Sequence, residues 1–316
     1  MRIIDQDEVR ARLTYERCIP LVREAMIAFS AGRTQQQLRS ILQLGEGRMF
    51  GVMPGGLGGT EPFGAKLISV FPDSFAKGRP SHQGVVVLFD PETGAPVCVA
   101  HAGEVTAIRT AAATAVATDA LARPDARRIA LLGYGEQAMT HARALVHVRK
   151  VEAFTVWGRS PERAEAFAER MSAELGLPFH AMDTARAAVA DADVICTLTA
   201  APEPILEGRW LRPGTHVNLV GSSYAGPAEV DNDLVVRSRF IADSREGALA
   251  QGAEFQRAKK AGLIDDRHVV AEIGEVLAGR VEGRQSADQL TAYKSLGHIV
   301  QDLASVAALW RDGPAD

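Results

Sequence analysis

The stretch Arg128-Ile-Ala-Leu-Leu-Gly133-Tyr-Gly135-Glu136-Gln137-Ala138 decides the architecture of this chain. Its first half reads as an apolar strand, and its second is the pattern G-x-G-x-x-A opening a helix. In that setting Gly133 permits a tight turn, Gly135 lets backbone approach a pyrophosphate, and Ala138 allows the helix to pack close to the strand. The N-terminus of a helix over 137–148 then offers N–H groups and a positive dipole end to phosphate. A glycine pattern alone also fits a plain tight turn. Here a strand precedes it, a helix follows, and a second apolar strand comes at 153–157, which is the context that the dinucleotide reading needs.

Working outward, the end of that second strand reads Trp157-Gly158-Arg159-Ser160, with Arg163 one turn on. Enzymes that use NAD usually place Asp or Glu here to bind the ribose hydroxyls. Instead this strand end offers a guanidinium and a hydroxyl, suited to a 2′-phosphate. The plainer alternative makes Arg159 a solvated loop charge. The pattern favours NADPH and leaves NADH open. Downstream, a helix over 161–174 and strands at 194–197 and 216–220 continue the strand–helix alternation of a parallel, doubly wound, Rossmann-type sheet.

Upstream the texture changes. Ile19, Leu21, Val22, Met26, Ile27 and Phe29 form an apolar stripe of helical period over 14–30, and Gly32 is a natural stop. Short apolar runs at 49–53, 65–71, 84–89 and 97–100 are separated by turn residues. Asp90-Pro91-Glu92-Thr93-Gly94 is a hairpin-type turn between the last two, so a mixed or mainly antiparallel sheet is expected. An alanine-rich helix over 105–122 follows, ended by Pro124, and a last helix over 295–310 could return to the N-terminal part. The expected fold is α/β: a Rossmann domain over 123–294, and an N-terminal α+β domain over 1–122 completed by 295–316.

Bulk properties agree. A chain of 316 residues exceeds what one hydrophobic core usually serves. Net charge is −4 and the sequence pI about 6.1, which gives no electrostatic footprint for nucleic acid or an anionic membrane. Cys18, Cys98 and Cys196 are odd in number, lack metal-type spacing and sit in apolar stretches, as buried reduced thiols do. No stretch approaches the ~20 apolar residues of a membrane helix. The N-terminal MRIIDQDEVRARL lacks the apolar run of a signal peptide. The expected location is the cytoplasm.

Three basic residues lie in otherwise uncharged surroundings: Arg39 in Gln37-Leu-Arg39-Ser-Ile-Leu, Lys66 in Phe63-Gly-Ala-Lys66-Leu-Ile, and Arg109 in Val105-Thr-Ala-Ile-Arg109-Thr-Ala. A charge in an apolar strand or small-residue helix is costly unless it is paired or faces a ligand. Arginine suits bidentate carboxylate binding, and a partly desolvated lysine suits proton transfer. Three structural salt bridges would account for them equally; beside a dinucleotide site they suggest a pocket for a small carboxylate. His82, in a turn-like segment, either joins that pocket or is a loop histidine. No Ser-His-Asp set, HExxH or Cys/His cluster supports hydrolysis or a metal.

Ordered motifs run along nearly the whole chain: Met53-Pro54, Gly64-Ala-Lys66-Leu, Ser81-His82-Gln83-Gly84, Asp90-Pro91-x-Thr-Gly94, Thr106-Ala-x-Arg109-Thr-Ala-Ala, Gly133-x-Gly135-x-Gln137-Ala138, Glu272-Ile-Gly-Glu-Val-Leu-x-Gly279 and Lys294-Ser-Leu-Gly297. In these the chain resembles the ornithine cyclodeaminase/μ-crystallin family. The resemblance implies an N-terminal domain that binds substrate and forms a homodimer, with Arg39, Lys66 and Arg109 facing the substrate carboxylate and the reacting centre. It places Val220, Gly221, Ser222 and Ser223 beside a nicotinamide, and Lys294 and Gly297 on the cofactor face.

One departure is informative. Cyclodeaminases, and the alanine dehydrogenases they resemble, carry Asp in a Gly-x-Asp turn, where this chain has Ser223. Serine cannot act as a carboxylate base near neutral pH. The μ-crystallin-like ketimine reductases are similar to this chain in that serine and in a following Asp-Ser-x-Glu, here Asp243-Ser-Arg-Glu246. The resemblance therefore implies NAD(P)H-dependent reduction of a cyclic ketimine carboxylate, Δ1-pyrroline-2-carboxylate or Δ1-piperideine-2-carboxylate, with Lys66, Arg109 and Ser223 at the reacting centre. Ornithine or lysine cyclodeamination, alanine dehydrogenation, and non-catalytic NADPH-dependent ligand binding stay open as alternatives.

Overall fold

The computed structural model describes residues 1–71 and 82–313, the side chain of His82 excepted. The chain divides into two units, Met1–Arg109 with His298–Asp316, and Thr110–Gly297.

Among the described residues of the first unit, seven strands form one sheet. They are β1 (Arg2–Ile4), β2 (Gln35–Gln36), β3 (Ser40–Gly45), β4 (Arg48–Gly56), β5 (Phe63–Val70), β6 (His82–Phe89) and β7 (Pro96–His101). The order is β1-β7-β6-β5-β4-β2, with β3 also on β4; β1 pairs parallel to β7 and the rest are antiparallel. The expected β6–β7 turn is built by Asp90. Its carboxylate accepts from the amides of Glu92 (3.0 Å) and Thr93 (2.8 Å) and from the Thr93 hydroxyl (2.9 Å). These bonds hold the Asp90 carboxyl below its usual range.

Alternation decides which face of the sheet is covered. Val86 and Leu88 on β6 are fully buried, whereas Val85 and Val87 are only partly so. A C-terminal helix, Ile299–Arg311, packs across β4, β5 and β6 and against α2 (Tyr15–Ser30). It inserts Ile299, Val300, Leu303 and Val306, all buried, and α2 adds Val22 and Met26. Each such side chain contributes about 1.5–3 kcal/mol by leaving water. A short helix, α1 (Gln6–Arg12), lies between β1 and α2 and is capped by the Asp5 side chain.

Helix α3 (Ala102–Leu121) runs from the first unit into the second. Its alanines 111, 112, 113, 115 and 117 are buried almost completely, so no polar face is left along that stretch. At its C-terminal end Arg149 donates to the carbonyls of Thr118 (2.9 Å), Asp119 (3.1 Å) and Ala122 (3.2 Å), groups a helix end otherwise leaves unpaired.

The second unit is an entirely parallel sheet of β8 (Arg128–Leu132), β9 (Ala153–Trp157), β10 (Phe179–Ala181), β11 (Val194–Thr197), β12 (His216–Leu219), β13 (Arg239–Ala242), β14 (Val269–Glu272) and β15 (Thr291–Lys294). The order β10-β9-β8-β11-β12-β15-β13-β14 reverses direction between β8 and β11. Ligands of doubly wound sheets bind at the carboxyl ends of the strands at such a reversal. Helices α4 (Glu136–Leu145), α5 (Pro161–Leu175) and α6 (Ala185–Val189) make the crossovers of the first half, and α7 (Asn232–Arg237), α8 (Arg245–Gln251), α9 (Ala253–Lys260) and α10 (Ile273–Leu277) follow in the second. Two apolar clusters fill the layers around this sheet, one under α4 and α5 around Ile129, Leu131 and Phe154, the other around Leu132, Val217 and Phe240.

Candidate active site

At the reversal, Gly133 leaves β8 with φ +130°, and a Cβ there would stand 2.7 Å from the carbonyl oxygen of Leu198 beyond β11. Only glycine fits. Gly135 is the N-cap of α4 and has open space where a Cβ would be; no side chain caps this helix. Ala138 is fully buried against the strand. Among the described residues the side-chain oxygen of Gln137 is buried without a hydrogen-bond partner. An uncapped helix start and an open glycine fit a dinucleotide pyrophosphate, which would lie along the turn formed by Gly133, Gly135, Glu136 and Gln137.

Beside this turn the Tyr134 ring occupies the place a side chain at Gly158 would need, its nearest carbon 2.1 Å from the Cβ position. The Ser160 amide donates to the Tyr134 hydroxyl (3.3 Å), and the Arg163 guanidinium lies 4.9 Å from the ring centroid. Arg159 is exposed. The Ser160 hydroxyl donates to the carboxylate of Glu162 (2.7 Å). The strand end itself carries no acid, but the first turn of α5 brings one onto the hydroxyl read as a phosphate ligand.

The segment after β12 is held from beneath by buried charges. Glu229 accepts from the Thr199 amide (2.6 Å), the Thr199 hydroxyl (2.7 Å) and the Gly221 amide (2.8 Å). Burial pushes its carboxyl up, against these hydrogen bonds and the charge of Lys294. Lys294 is fully buried, pairs with Glu254 at 2.8 Å and donates to the Ser222 carbonyl. It therefore supports the Gly221-Ser222-Ser223 turn from inside the unit. Ser222 is buried and its hydroxyl donates to the Pro227 carbonyl; Val220 is buried, and Ser223 is half-buried. The Gly297 and Leu296 amides both donate to Asp243 (2.7 Å each).

In the first unit, Lys66 lies on the covered face of β5, opposite Met53 and Val86. Lys66 and Arg109 are 2% and 4% exposed, and they converge on Asp302 of the C-terminal helix, which is wholly buried. Lys66 Nζ and Arg109 Nε both donate to Asp302 Oδ1 (3.1 Å each), and Arg109 Nη1 donates to Gln301 Oε1 (2.9 Å). Two buried cations thus share one anion. Desolvation lowers the Lys66 ammonium to about 8, with Arg109 and Arg39 adding to the effect and Asp302 opposing it. Desolvation raises the Asp302 carboxyl, yet Arg109 and Lys66 outweigh it and hold the group below its usual range. His298 caps the helix, lies 4.1 Å from the Phe29 ring and is pushed down to about 4 by burial, with Arg109 and Arg39 adding to the drop.

Arg39 is half-buried and close enough to act on both Lys66 and His298. The side chain of His82 lies outside the described residues. Asp302, Gln301 and His298 escape the sequence reading. The signal for Asp302 is the one used for Lys66 and Arg109: a lone charge in the apolar run Ile299-Val-Gln-Asp302-Leu-Ala. Among the described residues no three His, Cys, Asp or Glu side chains gather as metal ligands.

A doubly wound sheet whose first turn carries this glycine pattern has the architecture of the dinucleotide-binding unit of nicotinamide-dependent oxidoreductases, the class to which the relatives below belong. The profile of the ornithine cyclodeaminase/mu-crystallin family matches residues 2–312, and the chain belongs to that family. It is 32% identical over 305 residues to a Delta(1)-pyrroline-2-carboxylate reductase of Bacillus cereus, covering 96% of this chain and 94% of the relative. It is 33% identical over 296 residues to the ketimine reductase mu-crystallin of Mus musculus, covering 92% and 90%. Among solved structures it is similar to the Thermococcus litoralis Delta(1)-pyrroline-2-carboxylate reductase in complex with NADH and L-proline. That similarity has a TM-score of 0.95 and 32% identity, and covers 98% of this chain and 97% of the other. No helix among the described residues is long and apolar enough to cross a membrane.

Proposed function

We propose that the protein reduces a cyclic 2-imino carboxylate, Δ1-pyrroline-2-carboxylate or Δ1-piperideine-2-carboxylate, to L-proline or L-pipecolate. The observation that carries this reading is the buried cluster of Lys66, Arg109 and Asp302, which holds a surplus of one positive charge. A buried charge without a counterion costs several kcal/mol, and a bound carboxylate removes that cost. Arg109 Nη2 and the nearby Arg39 are the groups that grip it, fixing the C=N carbon for attack. A bound reduced nicotinamide supplies the hydride. The named relatives, reductases of such imines, support the same substrate class. Ser223 fits reduction better than cyclodeamination, because a serine offers no carboxylate base.

NADPH is the proposed cofactor, with Arg159 and Arg163 on the 2′-phosphate; Glu162 would have to turn away from Ser160 to admit it. The homodimer is proposed to form through the open face of the first unit's sheet, and the setting is the cytoplasm, where Cys18, Cys98 and Cys196, all buried and unpaired, stay reduced. The test is a substrate panel with NADPH and with NADH: both cyclic imines, pyruvate with ammonia, ornithine, and lysine. Loss of reduced-cofactor absorbance with a cyclic imine is the expected result. Turnover of ornithine without net cofactor consumption would replace the reading with cyclodeamination, and inertness towards every substrate would end it.

A further inference from the structure

The reduction needs a proton as well as a hydride, and Ser223 offers no carboxylic acid to supply it. Lys66 and Asp302 meet at 3.1 Å, both almost fully buried. Asp302 Oδ1 takes both cations, while its second oxygen is buried with no hydrogen bond among the described residues. A carboxylate placed only to neutralise two cations would be expected to divide its oxygens between them, and a buried unpaired acceptor calls for an explanation. Asp302 Oδ2 is left available to a water.

We propose that Asp302 is the positioning residue that keeps Lys66 charged and aimed, so that the Lys66 ammonium delivers the proton to the imine nitrogen. This rests on the imine-reductase reading above. The balance is complete: the C=N carbon gains the hydride from the reduced cofactor, and the nitrogen forms its N–H bond with the Lys66 proton. Lys66 is left as a neutral amine and is reprotonated from solvent, with Asp302 Oδ2 holding the intervening water. Asp302 does not touch the reacting atoms in this scheme; it acts through Lys66.

The groups facing Lys66 set its charge. Arg109 on α3, Arg39 ahead of β3 and desolvation all disfavour the ammonium, and Asp302 alone among them favours it. His298, held neutral by burial, and Cys18 on α2, whose thiol burial pushes up to about 12, add no charge near neutral pH. Replacing Asp302 with an uncharged isostere should therefore lower the pH at which Lys66 loses its proton by about one unit or more, the effect of an opposite charge at this range.

The experiment compares wild type with Asp302→Asn. The pH profile of kcat/KM for cyclic imine reduction, which reports groups of the free enzyme, is measured alongside a titration of Lys66 by NMR of lysine-labelled protein. Six lysines make the spectrum simple, and Lys66→Arg assigns the resonance. In wild type the alkaline limb of kcat/KM should coincide with the Lys66 titration. In Asp302→Asn both should move down together, so that kcat/KM falls about tenfold or more on the alkaline side and much less on the acid side. A uniform loss of activity at every pH, with an unmoved Lys66 titration, would make Asp302 merely structural and overturn the proposal. If the variant does not fold, the wild-type comparison decides: a kcat/KM limb with no matching Lys66 titration overturns it. If wild type reduces no imine, the functional reading fails separately, and proton delivery fails with it. The NMR shift then still decides whether Asp302 holds the charge on Lys66.

Discussion

Arg109 commits Nε to Asp302 and Nη1 to Gln301, so its guanidinium is fixed in plane before any ligand arrives. That preorganisation is what lets one terminal nitrogen contribute to binding at little further entropic cost. Charge-assisted hydrogen bonds of this kind are worth about 1.5–3 kcal/mol each. Arg109→Ala should raise KM for a cyclic imine by about a hundredfold, with a smaller effect on kcat. The variant should still fold, because the remaining Lys66–Asp302 pair is neutral. Steady-state kinetics with circular dichroism as a control will check this, and an unchanged KM would remove Arg109 from the site. Arg109 and Lys66 were readable beforehand as lone charges in apolar runs. Their partner was equally conspicuous in type, but nothing in linear order indicates that a strand, α3 and the C-terminal helix meet at one carboxylate.

Element by element, legibility followed segment length and punctuation. Strands β8, β9 and β11 are apolar runs bounded by turn residues, and α5 has Ser160 as its cap and Gly176 in the left-handed region at its end, so sequence and structure agree within a residue or two. Helices α6 to α10 span five to eight residues, too few turns for a period to emerge. Strand β15 carries the polar ends Thr291 and Lys294 around two apolar residues and shows no alternation, because both its faces are covered. Strand β3 is illegible for the opposite reason: Leu42 and Leu44 are apolar yet 60% and 49% exposed in the isolated chain. An exposed apolar edge strand is a liability unless something covers it. A Leu42→Lys, Leu44→Lys double variant should shift the protein from dimer to monomer in sedimentation velocity. A monomeric wild type, or a variant that remains dimeric, would end the proposed role of this face.

For the molecule as a whole, stability should depend steeply on pH through two histidines of the nucleotide-binding unit. His141 donates Nδ1 to the Gln137 carbonyl and accepts from Thr114, and His216 donates Nε2 to Asn218. Burial pushes them down from 6.5 to about 4 and about 3. Both folded-state values lie below the unfolded value, so this stability is present above pH 6.5 and is lost as pH falls towards 4, where only the unfolded chain takes up the protons. Each group contributes a slope of about 1.4 kcal/mol per pH unit in that window. Urea midpoints at pH 7, 6 and 5 should fall progressively, and His216→Gln should flatten the decline; a flat wild-type profile would refute the assignment. The discontinuous make-up of the first unit has a consequence for biogenesis. Arg109 and Asp302 are 193 residues apart in sequence. At roughly 5–20 residues per second, about 10–40 s of translation separate them. Throughout that interval the nascent chain carries Lys66 and Arg109 without their shared carboxylate, so the first unit cannot settle until Asp302 has been made, and a premature stop ahead of Asp302 would strand it.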